Sequence, residues 1–339
     1  RDSRILARLA SDFGPSYTFS ASQLESLAFC PFQFFSRYVL RLDPIEERDE
    51  LEEDRTAGGS MMHEALERLH LALHSELQGE AITLDQVIEE RIEQTIREQF
   101  DQDSGPVSEI GEGLRAIQAE RMIRVGKRYA VQYREYSSTM GSALLPAHFE
   151  FSFGDQEGCD GPALVMGEGD AQVRLQGMID RIDALDHPSG RLLRVIDYKT
   201  GSVPTGSKLK HGLALQLPLY SMAAERALPP EQNPRVIDAG YWALRDKGYK
   251  PLVKVAGYRD GDLILIEKQE PSPERIVAFA LELVDRLRKG MFPVHPAEQE
   301  CERSCDYRTV CRLRQVKKAR KPWPEAPSMA DRDSESEDD

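Results

Sequence analysis

From residue 60 onward, in "SMMHEALERLHLALHSEL", apolar positions recur three and four apart, the spacing of a helix that buries one face. The same period runs through two further stretches, about 83–101 and 108–138, whose other positions are rich in Glu, Arg and Gln. Upstream, "SASQLESLAF" predicts a helix opened by Ser22, with Glu25 three residues later in the capping-box position. Pro31 has no amide hydrogen and should end that helix and begin another, "PFQFFSRYVL", leaving Cys30 at the junction. Gly58 and Gly59 precede the helix at residue 60, and residues 1–16 read as a linker.

The period then changes to two. "AHFEFSF" at 147–153 alternates apolar and polar positions, "VRLQGMIDRIDAL" at 173–185 reads as a strand or hairpin, and "GRLLRVIDYKTG" at 190–201 reads as a buried strand after a glycine turn. A helix within "LALQLPLYSMAAERAL", a strand within "RVIDAGYWALRD" and a helix over about 273–289 follow. No internal repeat is visible. Helices followed by strands with an intervening helix predict an α/β or α+β core behind a helical insertion. From residue 323 the chain is polar, acidic and proline-bearing, which predicts a disordered tail over 323–339.

The net charge of −14 is unevenly spread. Segment 43–54 carries −7 and the last fifteen residues carry −6, which leaves −1 for the rest, including the basic run "RLRQVKKARK" at 312–321. Local basic surface governs nucleic-acid binding, so the total excludes no polyanionic partner. No run of 18 apolar residues is present, no signal-peptide pattern opens the chain, and the five cysteines are too few and too clustered for a secreted disulfide framework. A cytoplasmic protein is expected, and the opening Arg1 raises the expectation of more chain upstream. No G-x-x-x-x-G-K-[ST] motif occurs, so no ATP site is recognisable in the chain itself.

The chemistry concentrates in "GMIDRIDAL" and "VIDYKTG". Asp180 and Asp197 each close an apolar run, which predicts carboxylates at strand ends beside a core, a costly placement unless a cation meets them. Asp197 and Lys199 stand two apart, on one face of a strand. Two carboxylates and an ammonium suit metal-assisted phosphodiester hydrolysis. The competing reading is an edge-strand ion pair between Asp197 and Lys199, with Asp180 capping a turn. Asp183 and Asp186 read as turn residues, and His63, His70, His74 and His148 by themselves as partly exposed histidines.

Taken together, "GMIDRID…VIDYKTG…QLPLY" resembles the core of the RecB-type branch of the PD-(D/E)XK nuclease superfamily. The resemblance implies a restriction-endonuclease-like mixed sheet flanked by helices. It also implies that His63, Asp180, Asp197 and the Tyr198 carbonyl bind Mg²⁺ or Mn²⁺, with Lys199 as the catalytic lysine. Gln216 and Tyr220, i and i+4 on a helix face, would position the strand and support the lysine. Glu150 reads either as an outer-sphere acid or as a solvated strand position.

"ASQLESLAFCPFQFFSRYVLRL" resembles the start of the nuclease domain in AddB-type subunits of bacterial helicase–nucleases. By that resemblance Cys30 joins Cys301, Cys305 and Cys311 on a [4Fe–4S] cluster that clips the two ends of a domain spanning 17–322. The spacing here, C-x3-C-x5-C, has one residue more between the first two cysteines than the C-x2-C-x5-C of those subunits. Four thiolates also suit zinc, and Cys159 reads as a free thiol outside the cluster. The function implied is cleavage of single-stranded DNA beside a helicase subunit or region during double-strand-break processing. A stand-alone exonuclease, a DNA-binding scaffold with a silent site and a zinc-stapled interaction domain are the alternatives.

Overall fold

In a computed structural model, which describes residues 2–43, 55–76, 84–102, 109–139, 144–259, 262–265, 271–294, 301 and 305–311, an eight-stranded mixed sheet lies between two sets of helices. The acidic segment 44–54, the basic run 312–321 and the expected tail 323–339 lie outside the described residues.

The chain begins with α1 (Ser3–Asp12), where the sequence reads as a linker. Asp2 caps it by accepting the Arg4 amide, and Leu9 and Phe13 are buried in the core. Leu6, Leu9 and Phe13 stand three and four apart, the spacing of one helical face. β1 (Thr18–Ser20) leads directly into α2 (Ala21–Phe29). The capping box is therefore Ser20 with Gln23, not Ser22 with Glu25: the Ser20 hydroxyl accepts the Gln23 amide, and the Gln23 side chain accepts the Ser20 amide. Pro31 acts as its missing amide hydrogen requires. The extended Cys30 ends α2 and begins α3 (Pro31–Phe34), which widens into a π-helical turn over Phe35–Val39.

The helical insertion comprises α4 (Arg55–Glu76), α5 (Leu84–Gln102) and α6 (Glu109–Thr139). Gly58 and Gly59 lie inside α4 rather than ahead of it. The strands follow: β2 (Leu145–Gly154), the short β3 (Gly161–Pro162) and β4 (Leu164–Met166), then β5 (Val173–His187) and β6 (Gly190–Lys199). After α7 (Gly206–Lys210) and α8 (Gln216–Ala227), the sheet is completed by β7 (Arg235–Ala243) and β8 (Gly248–Lys254). A separate hairpin, β9 (Ala256–Arg259) with β10 (Asp262–Leu265), precedes α9 (Pro273–Arg288).

The sheet runs β3-β2-β5-β6-β7-β8, with β1 and β4 also paired to β5. β6 and β7 are parallel, joined through α7 and α8, so β6 is central and buried on both faces. Alternation along β6 sends Leu193 and Val195 to a core shared with α2, α8 and α9, and Ile196 and Tyr198 to a second core shared with α4, α5 and α6. Asp197 and Lys199 continue the first row, toward α8.

Candidate active site

β5 and β6 separate where the two aspartates lie. Their antiparallel ladder runs from His187/Gly190 to Arg181/Ile196 and stops; farther upstream, β5 pairs with β1 at Arg174–Gln176. In place of the next rung, the Tyr198 amide donates to Asp180 Oδ2 at 2.6 Å. The expected strand end thus holds for Asp197, while Asp180 stands in mid-strand at a fork. Both carboxylates are buried.

His63, on α4, closes the fork from the other side. Its Nδ1 is 3.5 Å from Asp180 Oδ1, and its Nε2 is 3.1 Å from the Tyr198 carbonyl oxygen. Glu150 joins them: ligand atoms of His63, Glu150 and Asp180 lie within 4.8 Å of one another. In β2, Glu150 falls between the paired Phe149/Arg181 and Phe151/Ile179, opposite Asp180, with a left-handed φ of 44°. That conformation is uncommon for a residue with a side chain. It breaks the alternation that would leave Glu150 solvated.

Lys199 and Asp197 form the second half of the site. Lys199 Nζ is 2.6 Å from Asp197 Oδ2 and donates to Gln216 Oε1 at 3.1 Å. Gln216 Nε2 donates to Asp197 Oδ1 at 2.5 Å. Gln216 begins α8, and Glu25 of α2 fixes that end by accepting the Leu215 and Gln216 amides at 2.7 and 3.0 Å. One turn on, the Tyr220 ring lies against β5 at Gly177, where a Cβ would stand 2.8 Å from the ring and the hydroxyl. The glycine of "GMID" is thus a packing requirement.

Charge repulsion and burial perturb these groups together. Burial, then the neighbouring Asp180, raises Asp197 to about 7, and the same two causes raise Glu150 to about 7. Burial opposes a charge on His63, but Asp180, Asp197 and Glu150 outweigh it and hold the imidazole at about 9. Burial likewise disfavours the Lys199 ammonium, yet Asp197, Asp180 and Glu25 raise its pKa. Excess carboxylate in a buried fork calls for a cation. Asp197 Oδ2 is already met by the Lys199 ammonium at 2.6 Å, so the excess of carboxylate lies on the His63, Glu150 and Asp180 side of the fork. The donor set of carboxylates, one imidazole and a backbone carbonyl fits a divalent cation that takes oxygen and nitrogen ligands.

Behind the fork lies a buried layer that the sequence does not announce. Arg181 is fully buried and grips Asp183 through Nε–Oδ1 at 2.5 Å and Nη2–Oδ2 at 2.9 Å. Asp183 also accepts the Tyr136 hydroxyl at 2.7 Å, so it is a core residue and not a turn residue. Arg181 Nη1 donates to the Tyr129 hydroxyl at 3.1 Å and the Tyr198 hydroxyl at 3.5 Å. His70 is buried as well, bonded to the Tyr129 hydroxyl, and burial followed by Arg181 keeps its pKa well below the ordinary value. A second buried pair, Arg194–Asp238 at 2.8 Å, adjoins through Tyr136. Tyr198 therefore offers its main chain to the site and its ring to this network. Among the remaining histidines, His148 is half-buried on β2, and the His74 side chain lies outside the described residues. Asp186 is exposed beside the β5–β6 turn, as expected.

The cysteine-bearing segments approach each other. Phe35 packs on Phe292 with ring centroids 4.8 Å apart, and the Tyr307 hydroxyl donates to the Leu42 carbonyl at 3.0 Å. Cys30 and Cys301 are buried, Cys305, Cys311 and Cys159 half-buried, and none forms a disulfide.

A family model described as the PD-(D/E)XK nuclease superfamily matches residues 18–312. Similar proteins include three named as ATP-dependent helicase/deoxyribonuclease subunits. That of Caldanaerobacter subterraneus subsp. tengcongensis is 27% identical over 285 residues, covering 82% of this chain and 23% of the relative. That of Ruminiclostridium cellulolyticum is 28% identical over 234 residues, covering 69% and 20%. That of Symbiobacterium thermophilum is 32% identical over 225 residues, covering 65% and 18%. The chain spans about a fifth of the length of these relatives.

Proposed function

The chain belongs to the PD-(D/E)XK nuclease superfamily, and from that premise we propose that it is a Mg²⁺- or Mn²⁺-dependent deoxyribonuclease cutting single-stranded DNA. We further propose that it works beside a helicase, as the names of its relatives suggest, and that the two act in double-strand-break processing. The observation that carries the reading is the fork, where His63, Glu150 and Asp180 gather within 4.8 Å beside the buried Asp197–Lys199 pair.

His63, Asp180, Asp197 and the Tyr198 carbonyl hold the cation, and Glu150 completes its surroundings. When bound, the cation supplies a water of lowered pKa and neutralises charge on the phosphate. Lys199 keeps its proton, because the surrounding carboxylates raise its pKa. It therefore acts as a fixed positive charge and donor toward the attacked phosphate rather than as a base. Gln216 bonds both Lys199 and Asp197, and Glu25 and Tyr220 hold Gln216's helix. Lys199→Ala should abolish metal-dependent cleavage of a single-stranded oligonucleotide while keeping most of the Mn²⁺ affinity. Cleavage at the wild-type rate by this variant would remove the lysine from the mechanism.

We also infer that Cys30, Cys301, Cys305 and Cys311 hold a [4Fe–4S] cluster. Four thiols on two segments joined by the Phe35–Phe292 and Tyr307–Leu42 contacts suit such a staple. Its role is to fix the α2–α3 junction, and through α2 the Glu25 anchor, rather than to do chemistry.

A further inference from the structure

Beside the lysine half of the site, a groove of about 300 Å³ opens between α2 and the turn after α3 on one side and α7 and the start of the α8 loop on the other. Its floor is shared with the site. Glu25 lines the groove and, through the Leu215 and Gln216 amides, holds the residue that bonds Lys199 and Asp197. Anything lying in the groove therefore sits one side chain away from the reacting centre.

The lining is mixed in a particular way. Arg37 and Lys208, both exposed, place positive charge on opposite walls. Glu25, the one acid among the described lining residues, has Oε1 committed to two backbone amides. Phe29 presents a half-exposed aromatic ring on α2, and Ser26 and Gln33 add neutral hydrogen-bonding groups. Cations that meet phosphates, an aromatic face and neutral polar groups are the ingredients with which proteins hold an unpaired strand. The volume is at the lower end for small-ligand sites and suits one nucleotide.

We propose that this groove is a nucleotide subsite for the single strand being cut, with Arg37 and Lys208 on the phosphate next to the scissile one and Phe29 against its base. The inference rests on the nuclease reading above. It adds a reason for the strand preference: a base held in a duplex pair has its faces stacked and cannot lie against Phe29. Arg37 stands 5.5 Å from the ring centroid of Tyr38, which also lines the groove.

The test uses the full-length polypeptide with its helicase partner, and oligothymidylate, duplex DNA and bis(p-nitrophenyl) phosphate as probes. The small diester asks only whether the metal site works. Arg37→Gln with Lys208→Gln should leave its hydrolysis unchanged while raising KM for oligothymidylate at unchanged kcat. The slope of log affinity against log salt should become shallower by about 0.7 for each cation removed. Phe29→Leu, which keeps the apolar packing and loses the ring, should weaken oligothymidylate binding at least about fivefold. Failure of the wild type on every probe would sink the nuclease reading itself. A working wild type whose double variant keeps its KM and salt slope would overturn the groove alone, as would an equal loss for duplex and single strand.

Discussion

Replacing Arg181 by Met removes a guanidinium that no solvent reaches and leaves Asp183 as a buried, uncompensated carboxylate. The two bonds lost to Asp183 measure 2.5 and 2.9 Å, and the Tyr129 and Tyr198 hydroxyls lose a donor too. Breaking a buried pair from one side costs about 3–5 kcal/mol, a large part of the ~5–15 kcal/mol that holds a typical domain together. Removing both charges, with Arg181→Met and Asp183→Leu, should cost less than the single change, because no buried charge remains unpaired. The aromatic shell of Tyr133, Tyr136 and Trp242 around the guanidinium is apolar enough to accept the thioether. Urea denaturation of the wild type, the two single variants and the double variant gives the coupling energy. The same samples titrated with Mn²⁺ should show weakened binding in Arg181→Met, since the Tyr198 main chain touches both Asp180 and His63. An Arg181→Met variant within about 1 kcal/mol of the wild type, or no more stable once Asp183 is also replaced, would refute the reasoning.

Two further outcomes follow from the site's charges and its cysteines. Without metal, Asp197 and Glu150 bind protons more tightly folded than unfolded, so their contribution is greatest at low pH and falls as pH rises to about 7. His63 adds stability below its unfolded value near 6.5 that is lost as pH climbs through about 9, so melting temperatures in chelator should fall between about pH 5.5 and 9. The limb above about pH 7 should be flatter in His63→Gln, and parallel curves would contradict the assignment. Anaerobically purified protein should be brown and carry about four irons per chain, and Cys30→Ala should lose them whereas Cys159→Ala should not. Colourless protein with one zinc would replace the cluster while keeping the staple.

Legibility in the sequence followed the range of the interaction. The same-face placement of Asp197 and Lys199 needs only strand alternation, and that of Gln216 and Tyr220 only a helical turn, so both pairs were readable. Fold class was readable for the same reason, because the switch from helical to alternating spacing is local. What escaped was set by distant partners. "DRID" looks like turn chemistry until Tyr136 and Tyr129, contributed by α6, close over Arg181 and Asp183. Glu25 looks like the partner of Ser22 until β1 places Ser20 at the helix start, which leaves Glu25 to meet α8. Glu150 reads equally as an outer-sphere acid or a solvated position, and the left-handed residue that breaks the alternation of β2 is what brings it to His63 and Asp180. The helix over residues 3–12 is the exception, legible in principle because Leu6, Leu9 and the following Phe13 stand three and four apart.

The central claim is that the buried fork holds a divalent cation that cuts DNA, and Asp197→Ala tests it most directly. Mn²⁺ titration and cleavage of a single-stranded oligonucleotide should be measured on one preparation of wild type and variant, after checking that iron content is equal. The variant should lose both metal affinity and cleavage, while metal-free DNA binding stays level or rises because a carboxylate no longer faces the phosphates. An Asp197→Ala protein that cuts as fast as the wild type, or a wild type that binds DNA but never cuts it with any divalent metal and the proposed helicase partner present, would contradict the central claim.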